Sequence, residues 1–310
     1  MKVNLICGFL GSGKTTLLKR VLAGQLAEER VAVLVNEFGA VGIDGEVLRR
    51  EHVHLVEIAS GCICCTVRGA LVAAVQEIHD AVRPARLLIE ATGLAQPADL
   101  LAALTGPPLD AVCELQPVVT VVDAAKFTRI RRVLGPFYQD QVARGHLVLL
   151  NKADQAPPDE VAAVAAAARA LNPRALILPT RFCDVDVKTL LYTDLERFLP
   201  AGAGPGEAEA SRRSGHRHAA ADREFGSVAF AEPVTLDRAA FERFLRTLPA
   251  DVFRGKGFLR STAGAYQFQF VTGDVTFEPA GPEVTTRMAF IGRHLDPEGL
   301  CKGILACVRS

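Results

Sequence analysis

The chain has 310 residues, 49% of them apolar and 23% charged, enough for one large domain plus a smaller one. Its 35 basic and 35 acidic residues cancel, Trp is absent and aromatics make up only 6%, so nucleic acid is not favoured as a partner. No stretch reaches the roughly 18 consecutive apolar residues of a spanning helix, which argues against a membrane partner, and eight Cys are too dilute for a disulfide scaffold.

Lys2–Cys7 reads as a buried first strand of a cytoplasmic protein rather than a signal peptide. Its apolar run passes straight into Gly11-Ser12-Gly13-Lys14 with no small-residue cleavage site. The segment Gly8 to Thr15, GFLGSGKT, matches the phosphate-loop pattern between a strand and a helix expected over Thr15–Glu28. Gly8, Gly11 and Gly13 let the backbone curl so that successive N–H groups, that of Ser12 among them, face phosphate oxygens. The helix beginning near Lys14 adds its positive dipole end. Lys14 brings charge to the β- and γ-phosphates, the Thr15 hydroxyl is suited to magnesium, and Thr16 completes the nucleotide-binding set. A chance glycine-rich turn is the bland alternative, which the full pattern in this context outweighs.

After an expected strand Val31–Asn36, the run Asn36-Glu37-Phe38-Gly39 occupies the place of a nucleotide-sensing loop. Glu37 there can face the γ-phosphate and its magnesium or complete a metal site, and Asp44 can do either; a solvated acidic loop is the alternative. Next, after His54–Ile58, come Cys62, Cys64 and Cys65. Thiolates this close converge on a soft or borderline cation, zinc first, with cobalt, iron or nickel as alternatives. Three buried small hydrophobes and a redox sensor are the other readings.

A helix over Gly69–Ala81 leads to the strand Arg86–Glu90, whose last residue stands where a magnesium-supporting carboxylate is expected. Glu90 holds a magnesium-bound water or positions the attacking water, unless it merely caps the following turn. Gly93, three residues on, lets a backbone N–H approach the γ-phosphate. Pro97–Leu104 reads as a helix and Val118–Asp123 as a strand. At the end of the strand Leu147–Asn151, the residues Asn151-Lys152-Ala153-Asp154 fit the guanine-reading pattern N-K-x-D. The Asp154 carboxylate accepts from both the ring N–H and the exocyclic amine of guanine, which adenine does not offer together. A helix over Asp159–Ala170 and a strand Leu176–Pro179 follow.

This alternation predicts an α/β fold: a mostly parallel P-loop sheet with helices on both faces, over residues 1–199. Residues 200–224 contain no Val, Ile, Leu, Met, Phe, Tyr, Trp or Cys and read as a flexible linker. Within it His216 and His218 form an H-x-H beside three arginines, better read as a solvated basic stretch than as a metal relay. Residues 225–310 read as a smaller α+β domain, with strands at Phe225–Phe230, Tyr266–Thr272 and Arg287–Ile291 and helices at Phe241–Leu248 and Pro297–Val308.

Taken together, GFLGSGKTTLL, NEFG, GCICC, EATG, VVTVVDA and NKAD resemble the CobW-like metallochaperones, a branch of the P-loop GTPases. In the second domain the residues Phe253 to Phe258 and Phe290-Ile291-Gly292 are similar to that family's C-terminal module. The resemblance implies slow GTP hydrolysis with magnesium, a transition metal held by Cys62, Cys64 and Cys65, Glu37 as a switch residue, and delivery to a client metalloprotein. Many members carry a long His-rich stretch, which this chain lacks. A homo-oligomer is compatible with the sequence. The rival functions are a regulatory GTPase that senses metal or redox state without transfer, and a P-loop small-molecule kinase, against which Asp154 argues.

Overall fold

The apolar runs of the first half pair as parallel strands. In the computed structural model, which describes residues 1–24, 29–35, 53–57, 67–192 and 225–308, these are β1 (Lys2–Cys7), β2 (Val31–Val35), β3 (Val53–Glu57), β4 (Arg86–Glu90), the short β5 (Glu114–Leu115), β6 (Val119–Asp123), β7 (Leu147–Asn151) and β8 (Leu176–Pro179). Their order across the sheet is β3-β2-β4-β1-β6-β7-β8, with β5 pairing beside the start of β1. Every residue of β2, β4, β6 and β7 is buried. Continuous Val/Ile/Leu runs of this kind are what strands covered on both faces require.

The covering helices are α1 (Lys14–Ala23), α2 (Val67–Val82), α3 (Pro97–Leu104), α4 (Phe127–Leu134), α5 (Pro136–Ala143), α6 (Pro158–Leu171) and α7 (Val187–Tyr192). Leu17, Leu18 and Val21 of α1, with Leu190 and Leu191 of α7, pack against Ile6, Val33 and Leu88 on one face. On the other, Leu71, Val75 and Ile78 of α2 and Leu100 and Leu104 of α3 meet Leu5, Leu34 and Ile89. Neighbouring strand residues such as Leu5 and Ile6 serve opposite faces, as the two-residue period dictates. The chain leaves β1 for one side of the sheet and later crosses to the other, so the carboxyl end of β1 lies at the reversal of strand order, where open α/β sheets bind ligands.

Differences from the expected elements are local. Helix α1 begins at Lys14 and closes at Ala23, with Gly24 as its C-cap. The helices α4 and α5 are absent from the sequence reading. In α4, Phe127, Ile130 and Leu134 are buried at helical spacing among three arginines, and Gly135 separates it from α5, which opens on Pro136.

The chain divides into two compact units, Met1–Ala203 and Gly204–Ser310. The expected linker, residues 200–224, lies outside the described residues, as do His216 and His218. The second unit contains β9 (Phe225–Ala231), β10 (Thr235–Leu236), α8 (Arg238–Thr247), β11 (Val252–Ser261), β12 (Gly264–Val271), β13 (Asp274–Pro279), β14 (Arg287–Arg293) and α9 (Pro297–Leu305). Its antiparallel order is β13-β12-β11-β14-β9, with β10 added parallel to β11. Phe241 of α8 stacks edge-to-face on Phe268 at 5.0 Å in a core shared with Phe290, Leu300 and Ile304. Asp237 and Asp296 cap the two helices, accepting from the backbone of Ala240 and Gly299.

Candidate functional site

The phosphate loop leaves β1 through three glycines with positive φ, +136° at Gly8, +71° at Gly11 and +114° at Gly13. Only glycine takes this sequence of conformations without strain. A Cβ on Gly13 would lie 2.4 Å from the Asn151 amide nitrogen, so the site also needs the missing side chain. Gly13 is the N-cap of α1 and supplies no side-chain hydrogen bond, leaving the first N–H groups of the helix free of a side-chain cap. The Ser12 hydroxyl is buried and makes no hydrogen bond among the described residues. Lys14 is buried at the start of α1, and its ammonium donates to the carbonyl of Phe9 at 3.2 Å. Thr16 is half-buried one residue after Thr15.

Strand register brings the carboxylate of β4 to this loop. Glu90 pairs with Ile6, and the Thr15 hydroxyl donates to Glu90 Oε1 at 2.9 Å. Thr15 and Glu90 therefore stand together as hard oxygen donors, the set that magnesium prefers. Gly93 follows in close contact with the same loop: a Cβ there would fall 2.5 Å from the backbone nitrogen of Leu10. Gln141 of α5 holds this turn from behind, donating to the carbonyls of Gly93 and Ala95 at 3.2 Å each.

The turn after β7 is joined to the phosphate loop by one side chain. Asn151, buried at the end of β7, donates to the carbonyl of Ser12 at 2.8 Å and accepts from the backbone N–H of Cys183 at 2.8 Å. Cys183 in turn points its thiol at the carbonyl of Gly13, 3.4 Å away, and burial pushes that thiol up to about 12. The thiol stays protonated at neutral pH and acts as a packing and hydrogen-bonding group. Lys152 adopts φ +59° and pairs with Asp123 at 2.7 Å. The Asp154 carboxylate lies 3.4 Å from the guanidinium of Arg181.

Lys14, Thr15, Glu90, Gly93 and Asn151 thus converge at the carboxyl ends of β1, β4 and β7. Glu37, Asp44, Cys62, Cys64 and Cys65 lie outside the described residues. Sequence reasoning missed the turn after β8, Thr180 to Cys183. Cys183 belongs to no motif in the sequence, although its position beyond a strand's carboxyl end is a usable signal. Gln141 lies in a helix the sequence reading did not contain.

A family model described as CobW/HypB/UreG, nucleotide-binding domain, matches residues 2–179, and one for the cobalamin synthesis protein cobW C-terminal domain matches residues 225–308. The chain belongs to the CobW family. Among CobW-family relatives it is 37% identical over 158 residues to the zinc chaperone YeiR of Escherichia coli, a match covering 51% of this chain and about half, 48%, of YeiR. To the zinc chaperone CobW of a Sinorhizobium species it is 30% identical over 293 residues, covering 82% of this chain and 80% of the relative. The crystal structure of the Zn(II)-bound YjiA GTPase from Escherichia coli has the same fold, at 22% identity, with a TM-score of 0.50 over 100% of this chain and 99% of that one.

Proposed function

We propose that this CobW-family chain hydrolyses GTP to GDP and inorganic phosphate and uses the cycle to load zinc into a client metalloprotein. The observation that carries the nucleotide half is the Asn151 side chain, which ties the phosphate loop to the base-reading turn in a single hydrogen-bonded unit. A buried Ser12 hydroxyl without a partner among the described residues and a helix start without a side-chain cap suit phosphate oxygens, which would satisfy both. Lys14 brings positive charge to the transferred phosphoryl group, and Asp154 reads guanine through its two N–H donors.

Thr15 and Glu90 are the residues that would hold magnesium, the hydroxyl as ligand and the carboxylate directly or through water. Bound magnesium neutralises charge that develops on the phosphate oxygens. Lys14 and the loop N–H groups fix the phosphates in line, and Glu90 keeps a water oriented, so that the chain contributes positioning and electrostatics. Zinc is the cargo in this reading. Cys62, Cys64 and Cys65, with Glu37 from the neighbouring loop, are the proposed ligands, and the names of the relatives support zinc over cobalt, iron or nickel. A difference in zinc affinity between the GTP and GDP forms is the coupling free energy for transfer.

Two measurements test the two halves. With magnesium present, Asp154→Asn is expected to move preference from GTP to XTP; unchanged preference for GTP refutes the guanine reading. Zinc titration against a chromophoric chelator, with a non-hydrolysable GTP analogue or with GDP, is expected to give different affinities. Equal affinities, or full zinc stoichiometry in Cys64→Ala, would refute the cargo reading.

A further inference from the structure

The turn after β8 places Arg181 beside Asp154 and Phe182 beside Arg181, and neither side chain has a role in the reading so far. Phe182 is 56% exposed. A solitary exposed Phe is ordinary on a protein surface. This one is held in an uncommon backbone conformation, with φ +50° at Phe182 and +53° at Cys183. The conformation persists because Asn151 accepts from the Cys183 N–H and the Cys183 thiol reaches the carbonyl of Gly13. The hydrogen bonds that shape the phosphate loop therefore also fix the backbone that carries the exposed Phe182 ring.

Arg181 contacts both Phe182 and Asp154. Its guanidinium lies 5.3 Å from the centroid of the Phe182 ring, and its Nε lies 3.4 Å from Asp154 Oδ2. A flat group presenting N–H donors to a carboxylate and a face to an aromatic ring is also a description of guanine. The N1–C2–N2 edge of the base is itself a guanidine unit. Arg181 thus touches the two groups that a base bound to Asp154 would use, the carboxylate through one nitrogen and the ring through its cation.

We infer that Phe182 is the stacking surface for the guanine base and that Arg181 is an internal mimic of guanine, competing with it for Asp154 and for the ring. This inference rests on Asp154 being the guanine reader. An exposed ion pair such as Arg181–Asp154 is weakly held, so an incoming base can displace it. Removing Arg181 raises nucleotide affinity, and removing the Phe182 ring lowers it for every guanine-like base, since stacking does not depend on the 2-substituent.

The chain contains no Trp, so Phe182→Trp installs a single reporter. Its emission is expected to be quenched when GDP binds, and equally when IDP binds. By calorimetry with magnesium present, Phe182→Ala is expected to weaken GDP and IDP by the same factor, about tenfold. Arg181→Ala is expected to tighten GDP about threefold. An unchanged emission while calorimetry shows GDP bound, or loss of GDP affinity without equal loss of IDP affinity in Phe182→Ala, overturns the stacking role. Unchanged or weakened GDP binding in Arg181→Ala overturns the mimic. A wild-type protein that binds ADP as well as GDP instead refutes the guanine reading on which the inference rests.

Discussion

The Thr15 hydroxyl donates to Glu90 at 2.9 Å, although the two residues lie 75 positions apart. The contact follows from register, since β4 pairs with β1 so that Glu90 stands opposite Ile6, two residues before the phosphate loop begins. A carboxylate at the tip of β4 and a hydroxyl in the first turn of α1 meet because both strands end at the same level.

Glu90→Gln keeps an acceptor for the Thr15 hydroxyl and removes the charge. Hydrolysis of GTP with magnesium is expected to slow by about 100-fold. GDP affinity should change by much less, because the loop glycines, Lys14 and Asp154 are untouched. Single-turnover phosphate release set beside calorimetric GDP binding separates the two, and equal losses in both would assign Glu90 to binding alone.

Gly13→Ala puts a methyl group 2.4 Å from the Asn151 amide, at a residue with φ +114°. The strain and the collision both act on the phosphate loop, at a cost of about 1–3 kcal/mol for the backbone alone. Nucleotide binding should be lost while the far-UV circular dichroism stays native-like. Retention of GDP affinity within a factor of three would show that the loop does not need the Asn151 contact.

Arg86 is fully buried at the start of β4 and donates to Glu29 at 2.8 Å and to the Asn4 side chain at 2.6 Å. Arg86→Met removes the charge and leaves the Asn4 carbonyl oxygen without that donor. A loss of about 2–4 kcal/mol is expected from leaving these groups unmatched, read as a lower urea midpoint. The double variant Arg86→Met with Asn4→Leu should recover part of it.

His146 accepts from the backbone N–H of Val118 through Nδ1, at 3.1 Å, and burial lowers its pKa below the ordinary 6.5. The unfolded chain therefore takes up a proton before the folded one does. This contribution to stability is present in full above pH 6.5 and is lost as the pH falls from there through the folded-state pKa. His146→Asn keeps an acceptor for Val118 and does not titrate. Between pH 7 and 5.5 its urea midpoint should fall less steeply than that of the wild type; parallel slopes would remove His146 as the cause.

Much of the first unit could be read from its residues because strands buried on both faces must be continuous in apolar side chains, as Leu87-Leu88-Ile89 and Val121-Val122 are. The second unit was harder. Strand β11 carries Gly255 and Gly257, which weaken a strand signal. Yet a Cβ on Gly257 would stand 2.3 Å from the carbonyl of Arg287, so the glycine is what lets β14 pair closely. The exposed β13 offers only Val275 and Phe277 as apolar residues and lacks a long alternation. At the site, Lys14, Thr15, Glu90 and Asn151 were legible because each belongs to a short pattern beside a strand end. Arg181, Phe182 and Cys183 were not, because their proximity to the loop exists only after β7 and β8 have docked.

The Asn151–Ser12 and Cys183–Gly13 contacts span 139 and 170 residues of sequence. During synthesis the ribosome releases the whole motif Gly8 to Thr15 long before the residues that shape it. A nascent chain ending before Asn151 carries every glycine of the phosphate loop and neither of these two bonds, and one ending before Cys183 still lacks the second. Nucleotide is then a ligand for the completed unit and not an early folding aid. Ribosome-stalled chains are expected to begin retaining fluorescent GDP only once Cys183 has cleared the exit tunnel, and retention by chains stalled soon after Lys14 emerges would show the loop to be self-sufficient.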